Sequence, residues 1–100
     1  MHVISLKALR SFWQRHPAAE APLRHWHTVT EKTVFADFND LRRTFASADY
    51  VRPFTVFNVG GNNFRVVAAV HYEAARIYIR WVLTHSEYNH WSKQHQRGQL

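Results

Sequence analysis

Apolar positions along this chain first recur at helical spacing and then at the spacing of strands. His2 to Ile4 is short and carries Val3 and Ile4, which predicts a first strand. From Ser5, a residue suited to capping, Leu6, Leu9, Phe12 and Trp13 follow at helical intervals. Pro17 fits the first turn of a second helix, from Ala18 to about Lys32, with Leu23, Trp26, Val29 and Thr30 on one face. The two helices should form a hairpin. Thr33 to Asp37 is irregular. Asn39–Asp40 opens a short third helix carrying Leu41 and Phe45, and SADYVRP reads as a loop ended by Pro53.

Three consecutive antiparallel strands are then predicted, at Phe54 to Val59, Phe64 to Tyr72 and Arg76 to Thr84. Gly60–Gly61–Asn62–Asn63 is the first turn, where both glycines allow positive φ and Asn62 tolerates it. The second connection centres on Glu73–Ala74. Ser86 to Trp91 should form a short terminal helix, and SKQHQRGQL a frayed polar tail.

Strand side chains alternate between faces. Ile77, Ile79, Trp81 and Leu83 therefore share one face of the last strand, and Arg76, Tyr78, Arg80 and Val82 the other. In the strand before it, Phe64, Val66, Ala68 and Val70 oppose Asn63, Arg65, Val67 and Ala69. A hairpin loop of even length would put Arg65 and Arg80 on the same face. The other face, aliphatic plus Trp81, should pack on the helices. The predicted fold is α+β: an N-terminal helical hairpin on a small, mainly antiparallel sheet with a short C-terminal helix and an open basic face.

One hundred residues make a single domain, 1–100, able to bury a core without staples. The absence of cysteine excludes disulfides, thiolate catalysis and cysteine-bound zinc, and fits a reducing cytoplasm. Apolar runs are far too short to span a membrane, and Lys7 and Arg10 interrupt any secretory signal. A cytoplasmic protein with no membrane partner is expected. The formal charge of +6 is uneven. Residues 50–100 carry Arg52, Arg65, Arg76, Arg80, Lys93 and Arg97 against Glu73 and Glu87, which points to a polyanionic partner, nucleic acid above all.

Arginines inside strands, with His85 and Tyr88 just beyond them, suit phosphodiester chemistry. RNA carries its own nucleophile, the 2′-hydroxyl. Its cleavage needs a base, an acid and cations around the transition state, with no metal or cofactor. Arg65 and Arg80 would supply the cations, since guanidinium forks match phosphate oxygens. His85 and Tyr88 would supply acid–base groups, which of them is base being left open. Asn62, Phe64, Arg76 and Lys93 are further candidates for RNA contact, and Phe64, Tyr78 and Trp91 could stack on bases. The competing reading pairs the arginines with Glu73, Glu87 or Asp49 on a solvated face, and packs Tyr88 and Trp91 onto the sheet. The eight histidines lack metal-ligand spacing: His25 and His27 point apart on a helix, His85 and His90 are five apart, and there is no HExxH.

The strings HVISLKALRSFW, VFNVGGNNFRVVAAV and IYIRWVLTHSEYNHW resemble the HigB toxins, RelE-like toxins of type II toxin–antitoxin systems. The resemblance is most specific at Gly61, Asn62, Phe64 and Arg65 and at Thr84, His85, Glu87 and Tyr88. It implies a RelE-like fold and a ribosome-dependent endoribonuclease acting on mRNA. It also implies inhibition by a HigA-like helix-turn-helix antitoxin, with operator DNA contacted only through that antitoxin. Asn62, Arg65, Arg80, His85 and Tyr88 fall on the family's motif positions. Where the family commonly has Asp after the EY pair this chain has Asn89, which keeps hydrogen bonding and loses the charge. The alternative is a non-catalytic RNA- or ribosome-binding module of the same fold.

Overall fold

The computed structural model describes residues 1–98. Strand β1 (His2–Ile4) leads into helix α1 (Leu6–Arg15), a single 3₁₀ turn at Pro17–Ala19 and helix α2 (Glu20–Lys32). Helix α3 (Phe38–Thr44) follows, with Asp37 as its cap accepting from the Asp40 amide. Then come strands β2 (Asp49–Val51), β3 (Phe54–Val59), β4 (Phe64–His71) and β5 (Arg76–Thr84), and helix α4 (His85–Gln96). The strands form one sheet in the order β1-β5-β4-β3-β2, antiparallel except where β1 runs parallel to β5. This is the expected α+β arrangement.

The sheet is covered on both faces. On one, Phe57, Val59, Phe64, Val66, Ala68 and Ile77 pack with Leu9 and Phe12 of α1, Leu23 and Trp26 of α2, and Leu41 of α3. On the other, Val56 and Val67 pack with Trp91, joined by Phe54, Trp81, Leu83 and Tyr88. The second face is therefore not an open basic surface. Helix α4 lies across it, and the polar groups are confined to what α4 leaves uncovered.

The connection between β4 and β5, Tyr72–Ala75, has the even length expected, and near it the pairing is Ala69 with Tyr78. The register then shifts. Val67 pairs with Trp81 while Ala68 pairs with Ile79, so Arg80 is an extra residue without a partner. Such a bulge re-phases the strand. Ile79 and Val82 both pack against the α1–α2 side, while Trp81 and Leu83 turn to the α4 side. Trp81 and Leu83 thus depart from the predicted shared face with Ile77 and Ile79. Counted from Ile79, Arg80 still points to the Arg65 side, as expected, and it now has Trp81 beside it on that side.

Three other expectations are corrected. Helix α4 continues to Gln96 rather than stopping at Trp91, because Tyr88, Trp91 and His95 stack in succession with ring centroids 5.7 Å and 4.9 Å apart. The His95 Nε2 also donates to the Arg52 carbonyl at 2.7 Å. Residues 99 and 100 of the predicted tail lie outside the described residues. Asp49–Val51, read as loop, pairs with β3 as an edge strand. Asn62 does not take positive φ; Gly60 and Gly61 do, and Gly60 also brings the backbone against the rings of Pro22 and Phe64.

Candidate active site

The site is built where β4 begins and β5 ends. Thr84 caps α4 with a reciprocal pair: its Oγ1 accepts from the Glu87 amide at 3.2 Å, and the Glu87 carboxylate accepts from the Thr84 amide at 2.8 Å. The His85 amide donates to the Asn63 carbonyl at 2.9 Å, tying the helix start to the glycine turn. Thr84 and Glu87 are thereby assigned to local structure. Their effect is to fix His85 at the first position of the helix.

Arg65 is 7 % exposed, and its guanidinium is fully oriented. Nη1 donates to the carbonyls of Asn62 at 2.9 Å and Phe64 at 3.1 Å. Nη2 lies 3.0 Å from His85 Nδ1. A guanidinium can only donate, so Nδ1 accepts and the neutral imidazole carries its proton on Nε2. The Arg65 Cζ also sits 5.4 Å from the centre of the Tyr88 ring, within cation–π range. Among the described residues the ion pairs are His2–Glu31 and Arg24–Glu20, and Arg65 has no carboxylate partner. The Nε–H and one Nη2 hydrogen of Arg65 remain free for a ligand.

Arg65 and Tyr88 open into a cleft of about 360 Å³ lined also by Phe38, Arg42, Ser47, Asp49, Val56 and Asn58. Burial pushes the Tyr88 phenol above its ordinary value, and the Asp49 carboxylate adds to the rise. Ser92 and Arg65 pull the other way without reversing it. Tyr88 is therefore held protonated, as a donor.

The structure gathers Arg65, His85 and Tyr88. It does not bring Arg80 into contact with them; Arg80 is exposed at the bulge, 6.0 Å from the Tyr78 ring. Asn62 is exposed and reaches Arg65 through its carbonyl. Phe64 lies in the core against Phe12, so its ring offers no platform for a base. Arg76 sits at the far end of β5, bonded to the Tyr78 hydroxyl at 3.5 Å, and Lys93 is exposed on α4. Trp91 is buried under α4 in its packing role. Sequence reasoning missed Arg42, Ser47 and Asn58 as cleft residues and named Asp49 only as an ion-pair partner. The capping signature T-x-x-E at Thr84 was visible and would have fixed the start of α4. No group of three metal-ligating side chains comes together among the described residues, and no helix of theirs is long and apolar enough to cross a membrane.

Comparison with known proteins gives this arrangement its class. Residues 19–91 match a family described as the RelE-like toxic component of a toxin–antitoxin system. Over 98 residues the chain is 38 % identical to the mRNA interferase toxin HigB of Escherichia coli (strain K12), covering 95 % of this chain and 94 % of the relative. The mRNA interferase HigB of Shigella flexneri matches equally, at 38 % over 98 residues. A HigB of Escherichia coli O6:H1 is 28 % identical over 92 residues, 89 % of each chain. The chain belongs to the HigB toxin family.

Proposed function

We propose that this chain is an mRNA-cleaving endoribonuclease, the toxin of a type II toxin–antitoxin system. The observation that carries the reading is Arg65: a buried cation with no carboxylate partner among the described residues, aimed by two carbonyls and shared between His85 and Tyr88. A preorganised donor of this kind stabilises charge that develops on a phosphoryl group. The scissile phosphate takes the free N–H groups of Arg65. As it competes for Nη2, His85 Nδ1 is released as a proton acceptor for the 2′-hydroxyl. The 2′-oxygen attacks phosphorus, the bond to the 5′-oxygen breaks, and Tyr88 returns a proton to that oxygen. The products carry a 2′,3′-cyclic phosphate and a 5′-hydroxyl. No metal takes part.

The family resemblance supports cleavage on the ribosome, in the cytoplasm, and neutralisation by a HigA-like helix-turn-helix antitoxin that contacts operator DNA on behalf of the pair. The antitoxin acts by blocking ribosome entry sterically, with the exposed side of α2 at Arg24 available for docking; Trp26, expected on that face, is buried in the core and takes no part. Charge reversal at Arg65 and Arg80 then changes antitoxin affinity by less than about 0.5 kcal/mol. A loss of several kcal/mol would show instead that the antitoxin fills the site.

The test of the activity is induction in bacteria followed by mapping of mRNA ends, with purified cleavage repeated in EDTA at concentrations that leave ribosomes intact. Growth arrest and cyclic-phosphate ends are expected. Ends with 5′-phosphate would indicate a metal-activated water. Salt-dependent RNA binding without any cut would favour a non-catalytic binding module.

A further inference from the structure

A second groove lies on the other side of α4 from the cleft. It has a volume of about 460 Å³ and is lined by Trp81, Leu83, Ser86, Glu87, His90, Trp91 and Gln94. Its carboxylate, Glu87, is turned to the backbone, where it holds the Thr84 amide at 2.8 Å. Trp81 is half-buried, with Phe54 edge-on at 5.4 Å and Trp91 tilted at 5.5 Å. Trp91 is 5 % exposed, and its indole N–H is buried with no acceptor among the described residues. Arg80 precedes Trp81, and the bulge puts both on this face. Its guanidinium is exposed and has no carboxylate partner among the described residues.

We infer that the groove between β5 and α4 binds a nucleotide of single-stranded RNA flanking the cut. Its base stacks at Trp81, and Arg80 holds its phosphate. Aromatic stacking paired with a cation is how single strands are held independently of base pairing. The inference rests on the RNA-cleaving reading above and gives Arg80 a place in it. The chain needs both features at once: alternation alone would turn Trp81 into the helix-side core, away from Arg80. The extra residue makes them neighbours.

The probe is a labelled pentanucleotide RNA, titrated by fluorescence anisotropy against the full chain across a salt series, alongside cleavage of mRNA on ribosomes. Trp81→Leu should weaken RNA binding about tenfold, within the range of one lost stacking contact. Trp81→Phe should restore most of it, which separates stacking from folding. Arg80→Gln, at an exposed position, should lower the salt slope by about 0.7, one phosphate on a single strand. RNA affinity unchanged in Trp81→Leu, or a salt slope unchanged in Arg80→Gln, overturns the subsite. If the wild-type chain cleaves mRNA while these variants bind RNA normally, only the subsite fails. If the wild-type chain neither binds nor cleaves RNA, the parent reading fails and the subsite with it. Loss of antitoxin binding with RNA binding intact would make the groove a protein contact and also overturn the inference.

Discussion

Replacing Arg65 with lysine separates charge from geometry at the centre of the cleft. The guanidinium reaches the Asn62 carbonyl, the Phe64 carbonyl and His85 Nδ1 together, at 2.9 Å, 3.1 Å and 3.0 Å. An ammonium keeps the charge but loses the planar fork, so it cannot hold all three in that fan. Losing two of the bonds at about 0.5–1.5 kcal/mol each costs about 1–3 kcal/mol of stability. A midpoint of about 2 kcal/mol lowers the Tm by roughly 8–16 °C for a domain of this size. The chemistry suffers separately: removing one oriented donor costs about 10²–10³ in rate. The assay is a circular-dichroism melt paired with single-turnover cleavage of mRNA at a temperature where the variant is folded. The reasoning is refuted if Arg65→Lys melts as expected yet cleaves within about threefold of wild type, well under one decade of lost transition-state stabilisation. Arg65 would then only staple the turn to the helix.

Tyr88→Phe keeps the ring that stacks on Trp91 and faces Arg65. It should leave the melt near wild type while slowing single-turnover cleavage by about 10²–10⁴, the usual scale of a lost general acid. Stability should fall as pH rises through about 10, because Tyr72 and Tyr88 stay protonated in the fold while the unfolded chain ionises there. Denaturant titrations from pH 9 to 11 should show this decline, and it should flatten in the double Phe variant. Asp49→Asn removes a charge that raises the Tyr88 pKa, so ultraviolet titration should find that tyrosine ionising earlier. Thr84→Ala should cost about 0.5–2 kcal/mol in chemical denaturation by breaking the cap of α4, and should slow cleavage by loosening His85.

The elements that were legible in the sequence carry strong periodic signals. Strand β5 matches its predicted limits, and the α1–α2 hairpin shows its apolar face at Leu9, Phe12, Leu23 and Trp26. Arg65, His85 and Tyr88 could be named because strand arginines followed by a His and a Tyr are chemically conspicuous. The bulge was not legible, since no glycine or proline marks Arg80 and alternation continues on paper without a break. The length of α4 was hidden by its polar composition, HSEYNHWSKQHQ, whose stacking rings are spaced by three and four. The cleft wall from Arg42, Ser47, Asp49 and Asn58 depends on α3 and the β2–β3 pair coming together beside Arg65, an arrangement that no local pattern encodes.

The bulge gives β5 something like a reading frame. Upstream of Arg80 the strand is phased by its hairpin, and downstream it is phased by α4. Deleting a single residue there would leave the composition almost untouched. It would also leave the phase untouched: with Arg80 gone, Ile79 still pairs with Ala68 and Trp81 with Val67, each on its present face, and His85 still meets Arg65. Keeping Arg80 but losing the bulge has the opposite effect: regular alternation through Arg80 would turn Trp81 and Leu83 to the α1–α2 side and Val82 to the other. Arg80 is thus a residue that β5 could lose without a change of phase, so its place in the chain is a matter of its chemistry and not of strand length.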